Sequence, residues 1–169
     1  MKQLLITTTL ILATVGFATA QQKKTPASPP AEATAMFGGK AVSIKYGSPS
    51  VKGRKIFGGL VPFGEVWRAG ANSATALHTE TDLMIGSLSV PKGDYTIYVL
   101  PSATEWMLII NKQTGQWGTE YSQSNDLGRV KMTVKATPAL VESYKMTLTA
   151  AALQLEWENI IATVPVKAK

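Results

Sequence analysis

Apolar and polar residues alternate with a period of two along most of this chain, and that alternation predicts strands. Over 41–46, Val42, Ile44 and Tyr46 alternate with Ser43 and Lys45. Residues 75–80 read as a short strand and 82–90 as the next. Pro91-Lys92-Gly93-Asp94 has turn chemistry, because proline presets one φ and glycine supplies a positive one. A hairpin is therefore expected between 82–90 and 95–100. Residues 106–110 are apolar on both faces, as suits a strand covered on both sides. Across 129–136, Val130, Met132, Val134 and Ala136 face inward, and Pro138 is expected to end that strand. Tyr144, Met146 and Leu148, then Leu153, Leu155 and Trp157, continue the alternation. Its phase slips at Asn159 before Ile160, Ala162 and Val164, which predicts a bulge. Glu156 and Glu158 share a face and read as a solvated edge. No stretch holds a helical period, since the nearest, 116–127, is polar and contains Gly118.

Seven to nine strands without a dominant helix imply an all-β fold, an antiparallel β-sandwich, jelly-roll-like or immunoglobulin-like, with a closed barrel as the alternative. Trp106 and Trp157 are expected in or beside its core. The alternation fails over residues 46–72, YGSPSVKGRKIFGGLVPFGEVWRAGAN. Glycines and prolines break any period there, yet Ile56, Phe57, Leu60, Val61, Phe63 and Trp67 supply apolar surface. This reads as one long ordered loop, and such loops in compact domains carry function more often than they merely connect.

The start of the chain adds a compartment. Lys2, an apolar run from Leu4 to Phe17 and Ala18-Thr19-Ala20 form a signal-peptide pattern with a cut expected after Ala20. A retained anchor is the alternative, although the run is shorter than the ~20 apolar residues of a membrane span. Residues 21–35 are Lys, Thr, Pro, Ser and Ala with little to bury, and are expected to be a disordered leader. Residues 36–169 then form a single domain, periplasmic or extracellular, with no membrane span after processing. There is no cysteine, so neither a disulfide nor a lipid-anchored cysteine is available. A mature chain of roughly 150 residues buries enough surface to fold without one.

Charge changes the picture only locally. The net charge of +6 has no basic run interleaved with aromatics, so nucleic acid is not an expected partner. Lys40, Lys45, Lys52, Arg54, Lys55 and Arg68 stand against Glu65 alone between positions 40 and 68, which concentrates positive charge on the loop and its approach. His78 is the only histidine and shares a strand face with Ala76 and Glu80, a partly solvated surface position. A zinc set, a nucleophile elbow, a phosphate loop and a metalloprotease pair are all missing, so no metal or cofactor is expected. Carboxylates are scattered, which disfavours a glycosidase. Arg54, Lys55 and Arg68 beside Phe57 and Trp67 suit a carboxylate, phosphate or sulfate group, with the Asn72 amide able to donate and accept. The competing structural reading has Arg68 bonding loop carbonyls or Glu65 while Trp67 fills a core gap.

The loop motif, then PKGDYTIYVLP, EWMLIINK, QWG and a closing L-x-L-x-W-E, resembles the secreted bacterial family named domain of unknown function 2911. The resemblance runs from about Phe37 onward and implies an exported, mainly β domain of unassigned biochemistry. Arg54, Phe57, Gly59, Pro62, Trp67, Arg68, Gly70 and Asn72 match its motif, without assigned roles. The family pattern usually places an acidic residue after G-A-N, where this chain has Ser73.

Two functions follow as expectations. The first is a non-catalytic binding module in which Arg54, Lys55, Phe57, Trp67, Arg68 and Asn72 take a carbohydrate or small anionic ligand. The second is a hydrolase or isomerase acting on an envelope component, using Glu65 or His78 for proton transfer beside Arg68. A structural role in protein interaction is the third possibility.

Overall fold

The computed structural model describes residues 27–169. The signal-peptide pattern and the first residues of the expected leader lie outside them. The strands are β1 (Pro30–Phe37), β2 (Lys40–Gly47), β3 (Thr75–Thr79), β4 (Leu83–Ile85), β5 (Leu88–Val90), β6 (Gly93–Leu100), β7 (Trp106–Asn111), β8 (Asp126–Leu148) and β9 (Ala152–Ala168). They form one open antiparallel sheet in the order β1-β2-β3-β6-β7-β8-β9-β4-β5. The fold is all-β and sandwich-like, as the alternation implies.

Four local readings are corrected. First, part of the expected leader is a strand: β1 pairs with β2 along its length and buries Ala33 and Phe37. Alanines at alternate positions 31, 33 and 35 supply a small inward face that composition alone hides. Gly38 and Gly39, at φ +58 and +78, close this hairpin in two residues, a turn that needs positive φ.

Second, the expected strand over 82–90 is itself a hairpin. Leu83 to Ile85 pair with Leu88 to Val90, and Gly86 turns the chain at φ +56. β6 consequently pairs with β3 and β7 rather than with 82–90. Third, Pro138 does not end its strand. β8 pairs with β7 through Met132 and with β9 from Thr133 onward, and its ladder with β9 is interrupted between Ala136 and Val141. A proline costs no ladder hydrogen bond where the ladder is already open. The slip predicted at Asn159 falls in the same irregular region, with Glu158 at φ +55, but the extra residues lie on β8.

Fourth, Glu156 and Glu158 are not a solvated edge. Glu156 pairs with Lys145 at 2.8 Å. The Glu158 carboxylate accepts from the amides of Ile56 (3.1 Å) and Phe57 (3.4 Å), tying β9 to the long loop.

The central strands are covered on both faces, as 106–110 suggested. Tyr95 to Val99 and Leu108 to Asn111 are all buried. One face meets the apolar core, and the other lies under residues 112–125. There Gln116 Nε2 donates to Tyr98 Oη (2.9 Å), Tyr98 Oη donates to the Glu120 carbonyl (2.7 Å), and Asn111 Nδ2 donates to the Ser122 carbonyl (3.0 Å). Burying these donors and hydroxyls is tolerable because they are paired, while the Gln116 Oε1 has no partner among the described residues.

Candidate functional site

The long loop runs from the end of β2 to the start of β3 and is pinned at several points. Ser50 bridges to Ser143, with Val51 N donating to Glu142 O (2.7 Å) and Tyr144 N donating to Pro49 O (2.8 Å). Trp67 and Val99 exchange both backbone hydrogen bonds at 2.8 Å, so the loop adds one residue to the edge of β6. At the exit, Gly47 and Ala71 approach so closely that a side chain at Gly47 would collide with the Ala71 carbonyl. Ile56, Phe57, Val61 and Ala69 are buried, so these loop residues are part of the core, whereas Leu60 and Phe63 stay exposed.

The aromatic side chains explain why. Trp67 stacks on Trp157 and meets Tyr144 edge-on at 5.1 Å. Phe57 packs against Trp106 at 4.6 Å and against Trp157 at 6.1 Å. The Trp67 indole N–H donates to the Gly70 carbonyl at 3.1 Å. Both its stacking face and its donor are therefore used internally, and Phe57 is only 7% exposed. Neither offers a free platform. Arg54 is also spent in part: Nε donates to Val51 O (3.0 Å) and Nη2 to Ser50 O (2.6 Å).

Arg68 differs from all of these. It is half-buried, and its Nε is fully buried without a hydrogen-bond partner among the described residues. Among the described residues it makes no ion pair, although Glu65 shares a depression with it. Burial alone lowers its pKa from the ordinary arginine value.

Two depressions meet at this side chain. One, of about 280 Å3, is lined by Ser28, Arg54, Trp67, Asn72 and Trp157 as well as Arg68. The other, of about 240 Å3, has Pro62, Glu65, Gly118 and Tyr121 on its walls. Trp157 also lines the first, and its buried indole nitrogen likewise has no acceptor among the described residues. Two residues of this cleft thus carry buried N–H donors that have no acceptor among the described residues. An oxyanion supplies acceptors, and a buried donor left unmade is costly.

The structure thus gathers Arg54, Trp67, Arg68 and Asn72 around one cleft and leaves two candidates out. Lys55 is exposed and off the lining, and Phe57 lies in the core. Asn72 Nδ2 donates to the Ser28 carbonyl at 3.3 Å, and the residue sits at φ +66. His78 is not brought to Arg68. It lines another depression, hydrogen-bonded through Nδ1 to Asp94 at 2.7 Å. No cluster among the described residues has the three or more ligating side chains that would hold a metal ion.

Gly118 and Trp157 were not singled out as site residues from the sequence. A methyl group at Gly118 would overlap the Arg68 Cδ and lie 2.6 Å from the Asn72 carbonyl, so the absence of a side chain there is what seats the guanidinium. Tyr121, on the second depression, is pushed up to about 12. Burial is the main cause, followed by its hydrogen bond to Asp126.

The family model described as Protein of unknown function (DUF2911) matches residues 28–166. The chain belongs to this family. The matched span of DUF2911 takes in the whole loop, the Gly118 segment and Trp157, so every described part of the cleft lies inside it. No curated protein and no solved structure matches the chain.

Proposed function

We propose that this protein is exported and is a binding module whose Arg68 cleft takes a small anionic ligand, such as a sugar acid, and performs no chemistry on it. One observation carries this reading: among the described residues Arg68 keeps a desolvated guanidinium Nε with no acceptor, on a cleft also lined by Trp157, whose buried indole nitrogen is likewise unpaired. A purely structural arginine would bond loop carbonyls, as Arg54 does. The cleft of about 280 Å3 is at the small end of ligand pockets, which suits a single ring or short acid rather than a long chain. Glu65 is the one carboxylate on its neighbouring depression, and no histidine joins it, so the pair of proton-transfer groups that hydrolysis uses does not face Arg68. A docking role would draw on exposed large apolar side chains, among them Leu60 and Phe63 of the loop, 50% and 45% exposed.

Titration calorimetry with uronic acids, neutral sugars and simple anions tests the reading. Binding of an acid that Arg68→Gln weakens about 10- to 100-fold supports it, that being the worth of a hydrogen bond to a charged group. Equal binding by the variant overturns it.

A further inference from the structure

A row of three reactive side chains crosses neighbouring strands in a depression apart from the Arg68 cleft. Ser43 of β2 stands opposite His78 of β3, and His78 stands opposite Asp94 of β6. Direct opposition puts all three on one face of the sheet. The ladder type brings them close on the side that matters. Glu80 N donates to Ala41 O at 3.1 Å, which marks 41 and 80 as a hydrogen-bonded pair. Two residues along, Ser43 and His78 are the same kind of pair, with Cα atoms about 5.5 Å apart. His78 and Asp94, across the other edge of β3, are then the closer kind, about 4.5 Å apart at Cα.

Within that pair, His78 Nδ1 lies 2.7 Å from Asp94 Oδ1. A carboxylate on Nδ1 holds the proton there and leaves Nε2 as the free base on the ring. All three residues line a depression of about 470 Å3, together with Lys45, Tyr95 and Thr114. Lys45 follows Ser43 by two residues on the same face of β2, so an ammonium flanks the serine.

We propose that Ser43, His78 and Asp94 form an ester-hydrolysing site, with Lys45 as the cation beside the developing oxyanion. Ser43 Oγ bonds to the ester carbonyl carbon as His78 Nε2 takes its proton, and the carbonyl electron pair moves onto oxygen. When the carbonyl re-forms, the bond to the alcohol oxygen breaks and the alcohol leaves with the proton from His78. Water then adds to the acyl-serine with His78 again as base. Ser43 Oγ leaves, reprotonated, and the carboxylic acid is released. Ser43 makes no side-chain hydrogen bond among the described residues, and nucleophile–base contacts are commonly loose before substrate binds. The Asp94 and His78 side chains are 70% and 52% exposed, unlike the buried carboxylate of an efficient triad. The open site therefore suits accessible esters, at a modest rate.

The test uses the mature protein with a fluorophosphonate probe, peptide mass mapping and p-nitrophenyl acetate hydrolysis. The expected result is a single label on Ser43, with hydrolysis reduced about 100-fold or more in Ser43→Ala and His78→Gln and by less in Asp94→Asn. No label, a label on another residue, or unchanged hydrolysis in Ser43→Ala overturns the proposal. Labelling of the unaltered protein decides the matter even if a variant folds poorly. This site is independent of anion binding at Arg68, which a separate calorimetric measurement reads.

Discussion

Trp67 lies nearly flat against Trp157, with ring centroids 5.7 Å apart and planes 19° from parallel. One tryptophan comes from the irregular loop and the other from β9, so the loop is built into the aromatic core rather than laid over it. The stacked face and the N–H bonded to Gly70 leave Trp67 little with which to hold a ligand. Of the neighbours in the Trp67-Arg68 dipeptide, the first serves the fold and the second faces the cleft.

Truncating Trp67 should therefore register in stability. Trp67→Ala is expected to cost about 3 kcal/mol, the lower end for a large aromatic in a core because the residue is half-buried. Urea denaturation measures this. A loss below about 0.5 kcal/mol, the level of ordinary surface substitutions, would show that Trp67 is not a core element.

Gly118→Ala probes the seat of Arg68 without touching its charge. The added methyl overlaps the arginine stem, so either the guanidinium moves or the 112–125 segment lifts. Overpacking of this kind costs about 1–3 kcal/mol. Thermal denaturation is expected to show that loss and calorimetry a weakened anion affinity; full affinity in a stable variant would place the binding determinant elsewhere.

Glu158 holds two loop amides from the core side. In Glu158→Ala the Ile56 and Phe57 N–H groups lose their carboxylate acceptors, at a cost of about 1–3 kcal/mol for buried donors left unmade. Hydrogen exchange should quicken at Ile56 and Phe57 ahead of the β6 and β7 amides. Uniform exchange across all of them would mean that the loop does not open separately.

Much of this architecture could be read from the chain because period-two alternation reports burial directly. It did so for Val42-Ile44-Tyr46 and for the Leu153-Leu155-Trp157 run. Alternation built from alanine is faint, which is why β1 looked like a leader. The two-residue turn at Gly86 is hidden inside an apolar stretch whose flanks alternate correctly. Of the site, Arg54, Trp67, Arg68 and Asn72 were visible through composition and spacing, and they do converge. Their division of labour was not visible, because it depends on which acceptors lie within reach. Only the fold brings the Gly70 carbonyl to Trp67 and the Ser50 and Val51 carbonyls to Arg54 while offering none to the Arg68 Nε. The Ser43–His78–Asp94 row was equally hidden, since it depends on strand register across residues far apart in sequence.

The most direct measurement is calorimetric titration of the protein and of Arg68→Gln with a panel of uronic acids and inorganic anions, beside matched neutral sugars. Anion binding at the Arg68 Nε requires that an acid bind, that its neutral counterpart bind less well, and that the variant lose about 10- to 100-fold in affinity while keeping its melting temperature. Failure of every acid to bind, or binding that Arg68→Gln leaves unchanged, would contradict it.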